Sequence, residues 1–330
     1  MSNKIAYFHR NCWDGTFAAL VFNFRYPDAD LIDFCYGDPL PAMETFEGKE
    51  VYLLDLTIPD DDLRRMADVA ERVHVLDHHP AALRQRVELK ELTDKNVVMF
   101  VGNDVAGSML AARYFLPSDV APTVEILRWA EQYDRFVFED PMTRQFMYGV
   151  STLKNDWKAF KEFFGEHALK YMFTTPNNHP DYMRPIFVDE LLLRGQIIAP
   201  YRENQLQYFI DNCQTRMTID GYHVVAVNAP RLFASELAEK LYKMYTFAES
   251  PFIAVFYEER GHLTYSLRCD KYSPINLDVI ARKFGGGGHR SAAGFKVRIA
   301  KAPLEPRESS NIKTGTGWWE WLRQQLKVWK

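Results

Sequence analysis

The stretch Val73-His74-Val75-Leu76-Asp77-His78-His79 decides the fold. Its first four residues form a short apolar run of the kind that makes a buried strand, and the run stops on three side chains able to bind metals. Two earlier runs repeat the pattern. Val51-Tyr52-Leu53-Leu54 stops on Asp55, and Ile5-Ala6-Tyr7-Phe8 stops on His9, with Cys12 and Asp14 just beyond. Helix-like stretches separate the three runs, which is the βαβ signature of a parallel sheet with helices on both faces. In open sheets of this kind ligands bind outside the carboxyl ends of the strands. One aspartate after a strand is ordinarily a loop residue or a helix cap. Three clusters ending three strands, two of them with histidine, collect hard-metal ligands on one sheet edge and predict a metal site. Asp134 is a fourth candidate. It closes an apolar-periodic helix from Val124 to Tyr133, for which Ser118 is the expected N-cap, and taken alone it reads as a solvated helix terminus.

With 330 residues, 47% of them hydrophobic and 25% charged, two soluble globular domains are expected. The formal charge of −4 argues against a long basic track for duplex nucleic acid and is compatible with a small anionic substrate held by local contacts. Cys12, Cys35, Cys213 and Cys269 lack paired spacing, and no charged segment followed by an apolar one opens the sequence, so a reduced cytoplasmic setting is expected. No apolar stretch approaches the roughly 20 residues that span a bilayer, and no membrane partner is expected.

The expected organisation is a catalytic domain over 1–175, a linker and connecting helix over 176–213, a substrate-binding domain over 214–302 and a Trp-rich tail helix over 303–330. The segment 156–173 reads as one packed amphipathic helix. The Pro- and Asn-rich stretch 174–180 breaks the chain, and a long helix follows from Ile186 to about Cys213. Met217 to Ile219, His223 to Val227, Phe252 to Tyr257 and Leu263 to Leu267 read as strands around a helix from Leu232 to Tyr245. A helix from Ile275 to Phe284 leads into Gly285-Gly286-Gly287-Gly288-His289-Arg290, where glycine N–H groups can form a nest for an anion beside two cationic side chains. In the tail, Trp318, Trp319, Trp321, Leu322, Leu326 and Trp329 suggest packing onto the second domain or a partner subunit, and a homodimer is a possible assembly.

In their order along the chain, His9-x-x-Cys12-x-Asp14-Gly15, Asp55, Asp77-His78-His79, Asp134 and the run Gly285 to Gly294 resemble the DHH phosphoesterases that carry a DHH-associated C-terminal domain. The triplet alone is a weak signal; its combination with Gly-Gly-Gly-Gly-His-x-x-Ala-Ala-Gly is specific. The resemblance implies an α/β fold with a parallel-sheet N-terminal domain, helices on both its faces, and a smaller mixed α/β C-terminal domain across a cleft. It also implies two Mn2+ ions, with Mg2+ or another divalent metal as substitutes. By position, His9 and Asp55 would hold the first ion, and Asp14, Asp55, His78 and Asp134 the second. Asp77 would orient a histidine, His79 would meet the phosphoryl group, and Arg268, His289, Arg290 and the backbone of Gly286, Gly287 and Gly288 would grip the substrate. Most members carry aspartate where this chain has Cys12, which either ligates as a thiolate or turns away and leaves a water there.

The expected activity is metal-dependent hydrolysis of short linear oligonucleotides or dinucleotides to mononucleotides, with water activated by two ions about 4 Å apart. No serine or cysteine triad and no phosphate-binding loop of the Walker or dinucleotide type competes with this reading. Two alternatives use the same centre: a phosphatase for adenosine 3′,5′-bisphosphate, and a cyclic-dinucleotide phosphodiesterase. A third, of another class, is a nucleotide-binding regulator with a decayed centre.

Overall fold

The computed structural model describes residues 3–35, 38–270 and 272–298, so the Trp-rich tail expected over 303–330 lies outside the described residues. The first sheet comprises β1 (Lys4–His9), β2 (Asp30–Phe34), β3 (Glu50–Leu54), β4 (Arg72–Asp77) and β5 (Val97–Val101), in the order β2-β1-β3-β4-β5. All its pairings are parallel. Alternate residues of the strands enter two different cores, because successive side chains of a strand point to opposite faces. Ala6, Phe8, Tyr52, Leu54 and Leu76 pack into one; Ile5, Tyr7, Val51, Leu53, Val73 and Val75 pack into the other. A sheet buried on both sides explains why these strands are nearly continuous apolar runs rather than alternating ones.

The helices of this half are α1 (Trp13–Arg25), α2 (Asp60–Val69), α3 (Pro80–Glu88), α4 (Lys90–Thr93), α5 (Gly107–Phe115), α6 (Glu125–Asp134), α7 (Met142–Val150), α8 (Trp157–Phe164) and α9 (Glu166–Thr174). Two expectations need correction. Segment 156–173 is two helices, because Gly165 takes φ 78°, a left-handed conformation that ends α8 and starts α9 at an angle. Ser118 does not cap α6, whose N-cap is Val124; a short 3₁₀ turn, Ala121–Thr123, lies between them.

Helix α10 (Ile186–Asn212) joins the halves and belongs to both. Phe187, Val188, Leu191 and Leu192 pack into the first half, whereas Leu206 and Ile210 pack into the second. The second sheet comprises β6 (Gln214–Ile219), β7 (Tyr222–Asn228), β8 (Ile253–Glu259), β9 (His262–Arg268), β10 (Gly287–His289) and β11 (Ala292–Arg298), in the order β10-β11-β9-β8-β7-β6. It is mixed: β7 and β8 are parallel and the other pairs antiparallel. Helices α11 (Ala234–Tyr242) and α12 (Leu277–Lys283) cover its two faces. Among the described residues no helix is long and apolar enough to cross a membrane.

Candidate metal centre

The strand order 2-1-3-4-5 reverses direction between β1 and β3, and a crevice opens at such a switch point beyond the strand ends. His9 ends β1 and Asp77 ends β4, while Asp55 follows β3 by one residue. Asp55 takes φ 57°, a left-handed conformation uncommon for a non-glycine residue; such strain persists where surrounding structure holds it, often at functional sites. From the helical layer, Asp14 lies in the first turn of α1 and Asp134 is the last residue of α6.

These side chains converge. Three sets have ligand atoms within 4.8 Å of one another: His9, Cys12 and Asp55; Asp14, His78 and Asp134; and Asp55, Asp77, His78 and His79. Asp55 and His78 each belong to two sets, so the clusters form one continuous centre. Cys12 turns its thiol toward it. Asp55 is 1% exposed, and neither of its oxygens has a hydrogen-bond partner among the described residues. Its Oδ1 lies 3.2 Å from His78 Nε2 and its Oδ2 lies 3.4 Å from His9 Nδ1. His78 Nε2 is also 3.6 Å from Asp134 and 3.8 Å from Asp14. Two ligand atoms each about 2.1 Å from one cation stand roughly 3.0–3.4 Å apart at octahedral or tetrahedral angles. The buried, unsatisfied carboxylate and these spacings fit a divalent cation, and the Asp/His groups can hold metal ions.

Electrostatics agree. Burial pushes the Asp14 carboxyl well up, and the charges of Asp55 and Asp134 add to it; burial also raises Asp134, with Asp55 contributing. Asp55 goes the other way. Its burial is outweighed by His78 and His9, which hold it well below the usual carboxylate range. Burial opposes charge on His78, yet Asp55 at ion-pair distance and the other nearby carboxylates carry it up to about 10; burial likewise opposes charge on His79, but Asp77 beside it carries it up to about 9. Burial pushes the Cys12 thiol well up, as do Asp55, Asp134 and Asp14. Carboxylates crowded this closely share protons or a cation, and a bound divalent ion would replace the protons.

Around the ligands stands a layer that orients them. Asp77 Oδ1 accepts from the backbone N–H groups of His78 and His79 and lies 2.6 Å from His79 Nδ1, which fixes the ring beside the centre. The N-terminus of α5 donates to Asp14 from Gly107 (2.6 Å) and Ser108 (2.9 Å). A Cβ at Gly107 would fall 2.6 Å from that of Asp55, so only glycine lets this helix end approach. Sequence reasoning missed Gly107 and Ser108. The signal available was a glycine-serine pair shortly after the apolar run of β5, where a helix would begin over the same sheet edge.

The second half reaches the centre through His289, whose ring centroid lies 5.7 Å from that of His78 and 5.3 Å from that of His79. Burial and these two neighbours bring His289 down to about 4. On the strand register His289 pairs with Ala292, which pairs with Arg268, so the three side chains share one face in one row. At about 4.8 Å per strand, His289 and Arg268 stand roughly 10 Å apart over the Ala292 methyl. Arg268 donates to Ser235 Oγ and to the Leu267 carbonyl, and burial, together with Arg231, lowers it to about 10. No carboxylate pairs with it among the described residues.

Two substrate-side expectations are corrected. Gly286, Gly287 and Gly288 do not form an open nest: Gly286 N–H donates to Ala281 O and Gly288 N–H to Asp278 Oδ1, while Gly287 to His289 are paired as β10. Arg290 does not join the row either, because its guanidinium donates to the carbonyls of Ser273 and Pro274.

No protein-family profile matches the chain. It is similar to an uncharacterized protein of Acanthamoeba polyphaga mimivirus, 24% identical over 316 residues that span 91% of this chain and 69% of that protein. Among solved structures it is similar to the pGpG-specific phosphodiesterase PggH of Vibrio cholerae, with a TM-score of 0.43, 12% identity and coverage of 98% and 99% of the two chains. It is also similar to an uncharacterized protein from Helicobacter pylori, with a TM-score of 0.37, 15% identity and coverage of 90% and 94%.

Proposed function

We propose that the chain is a phosphodiesterase that uses two divalent cations, manganese by preference, to hydrolyse short linear oligonucleotides and dinucleotides to mononucleotides. The observation that carries this reading is Asp55: a buried carboxylate with no hydrogen-bond partner of its own, shared between the His9–Cys12 side and the His78 side of the centre. Its position suits a bridging ligand, with His9 and Cys12 on one ion and Asp14, His78 and Asp134 on the other. Such a pair of ions supplies a water nucleophile near neutral pH and charge to balance the phosphoryl oxygens.

The protein's own groups do the rest. Asp77 fixes the His79 ring, and His79, protonated near neutral pH, steadies charge on the phosphoryl group. Arg268, a largely buried cation without a carboxylate, takes the terminal phosphate, and the Ala292 floor leaves room for a nucleotide between it and His289. The neighbouring phosphodiester then lies over the centre. Water oxygen bonds to phosphorus, the bond to the 3′-oxygen breaks, and that oxygen leaves protonated. A linear dinucleotide offers both a terminal phosphate for Arg268 and a diester for the metals. Adenosine 3′,5′-bisphosphate offers only monoesters, and a cyclic dinucleotide lacks the terminal phosphate.

The test is manganese-dependent hydrolysis of 5′-phosphorylated linear dinucleotides beside adenosine bisphosphate and cyclic dinucleotides. Mononucleotides from the linear substrate are expected. Asp55→Ala should lower turnover by about 10³-fold or more, whereas Arg268→Ala should mainly raise KM. Full activity of the Asp55→Ala enzyme refutes the site, and orthophosphate as the main product refutes the substrate class.

A further inference from the structure

Arg268 stands close to a second arginine. It pairs in register with Ile253, whose side chain packs beneath α11, so Arg268 lies on the face of the sheet that this helix covers. Its Nε donates at 3.1 Å to the Oγ of Ser235, in the first turn of α11. One turn earlier is Arg231, which opens a short 3₁₀ turn, Arg231–Phe233, that runs directly into the helix. Arg231 is exposed, and among the described residues no carboxylate pairs with it. Its charge reaches Arg268, where it adds to burial in lowering that guanidinium.

Two guanidinium groups brought together with no carboxylate between them repel, and an anion that binds both relieves the repulsion. The charge of Asp134, in the metal centre, also reaches Arg268, which sets the pair beside that centre. Free donors remain. Arg268 uses Nε on Ser235 and Nη1 on the Leu267 carbonyl, which leaves Nη2, and Ser235, accepting through Oγ, keeps its own hydrogen to donate. We propose that Arg231, Arg268 and the Ser235 hydroxyl form a clamp for a phosphate monoester, and that Arg231 makes the enzyme select 5′-phosphorylated dinucleotides over the same dinucleotides ending in a 5′-hydroxyl. The proposal rests on the reading of Arg268 as the ligand of the terminal phosphate, and it adds the residue that turns affinity into selection. A monoester carries close to two charges at neutral pH and three terminal oxygens, enough for two guanidinium forks and a hydroxyl. The diester that links two nucleotides carries one charge and two such oxygens. The clamp therefore reads the end of a chain.

The experiment gives the full chain, with manganese, one linear dinucleotide with and without its 5′-phosphate. The phosphorylated form should be favoured in kcat/KM by about 100-fold or more, and Arg231→Gln should shrink that preference about 30-fold, through KM. Arg231→Lys keeps the charge and loses the fork, so its preference should fall between the two. Because Arg231 is exposed, the Tm of either variant should stay within about 2 °C of wild type. Calorimetric titration of the two dinucleotides into the full chain in a chelating buffer reads the same preference without turnover. Tighter binding of the phosphorylated form there, with hydrolysis of neither form in manganese, keeps the clamp and sinks the proposed activity. Equal handling of the two dinucleotides, or a preference that Arg231→Gln leaves intact, overturns the clamp.

Discussion

Two clusters of buried charge, one where the halves join and one at the edge of the first sheet, are built on opposite principles. At the junction of the halves, Glu236 of α11 is 4% exposed and is fully engaged: Arg202 of α10 donates to both its oxygens through Nε and again to Oε2 through Nη2, and Tyr148 of α7 donates a further hydrogen bond. Arg202 also donates to the Leu232 carbonyl, and Arg144 pairs with Glu239 alongside. In the metal centre, Asp55 is as deeply buried, yet its oxygens are left to face imidazoles at ion-pair distance among other carboxylates. Burying a charge is tolerable when protein partners satisfy it and costly otherwise. The junction is satisfied from within and ties the two halves together. The centre is left unsatisfied by protein partners and is one that could hold a cation.

The largest effects should separate the two clusters by sign. Removing one partner from the junction leaves a buried charge uncompensated, so Glu236→Ala should cost about 3–5 kcal/mol in urea unfolding. Asp55→Asn removes a charge that has imidazoles at ion-pair distance but no hydrogen bond, and that other carboxylates of the cluster repel. In a chelating buffer it should be neutral or stabilising by about 1 kcal/mol, while with manganese it should lack the ligand-induced rise in Tm expected of wild type. If Asp55→Asn in chelator is as damaging as Glu236→Ala, the carboxylates are structural and the contrast collapses.

A third buried group shows that lacking a hydrogen-bond partner does not by itself make a site. His74 points to the first core from the middle of β4, stacked on Tyr52 with ring centroids 4.3 Å apart, and its Nδ1 lies 2.8 Å from the Tyr114 hydroxyl. Its Nε2 has no hydrogen-bond partner among the described residues. No set of ligand atoms gathers around it there, and burial lowers it to about 4, against the pull of Glu50, so it remains neutral. The sign of the linkage follows. Because the unfolded histidine binds a proton near pH 6.5 and the folded one near 4, this group's contribution is complete above pH 6.5 and drains as pH falls toward 4. The loss is about 3 kcal/mol. Unfolding free energies measured in chelator from pH 7 to 4.5 should fall more steeply for wild type than for His74→Phe. Parallel slopes would show that His74 is not held neutral by its surroundings.

The parts of this architecture legible in the sequence are those where residue type and period agree. The runs of β1, β3 and β4 are apolar on both faces and end on ligands, so strand, topology and site edge could be read together. Strand β2, Asp-Leu-Ile-Asp-Phe, escaped because it is an edge strand whose two aspartates break the apolar run. Part of the glycine segment was misread for a related reason. Glycine favours turns, so four in a row suggested an open nest; here Gly286 packs with its Cα too close to the Gly294 carbonyl for any side chain, and β10 forms by close backbone approach. Propensity describes the isolated chain, whereas that pairing is a tertiary fact. The helix end that holds Asp14 was equally invisible, since Gly107 and Ser108 lie more than ninety residues away in sequence and meet it only once α1 and α5 pack.

The smallest effect tests whether the incomplete side of the comparison has a shape as well as a charge. The row from His289 through Ala292 to Arg268 has a methyl group at its middle, and the space above that methyl is where a nucleotide would lie between two cationic or polar side chains. Ala292→Leu would fill this space from a strand position compatible with a larger residue, without touching any ligand atom. KM for a linear dinucleotide should rise roughly tenfold, with kcat changed by less than about threefold and metal affinity unaltered. Ala292→Ser, nearly the same size, should behave as wild type. A fall in kcat with KM unchanged would mean that the row supports the metal centre instead of the substrate, and the division between a charged centre in one half and a shaped floor in the other would have to be redrawn.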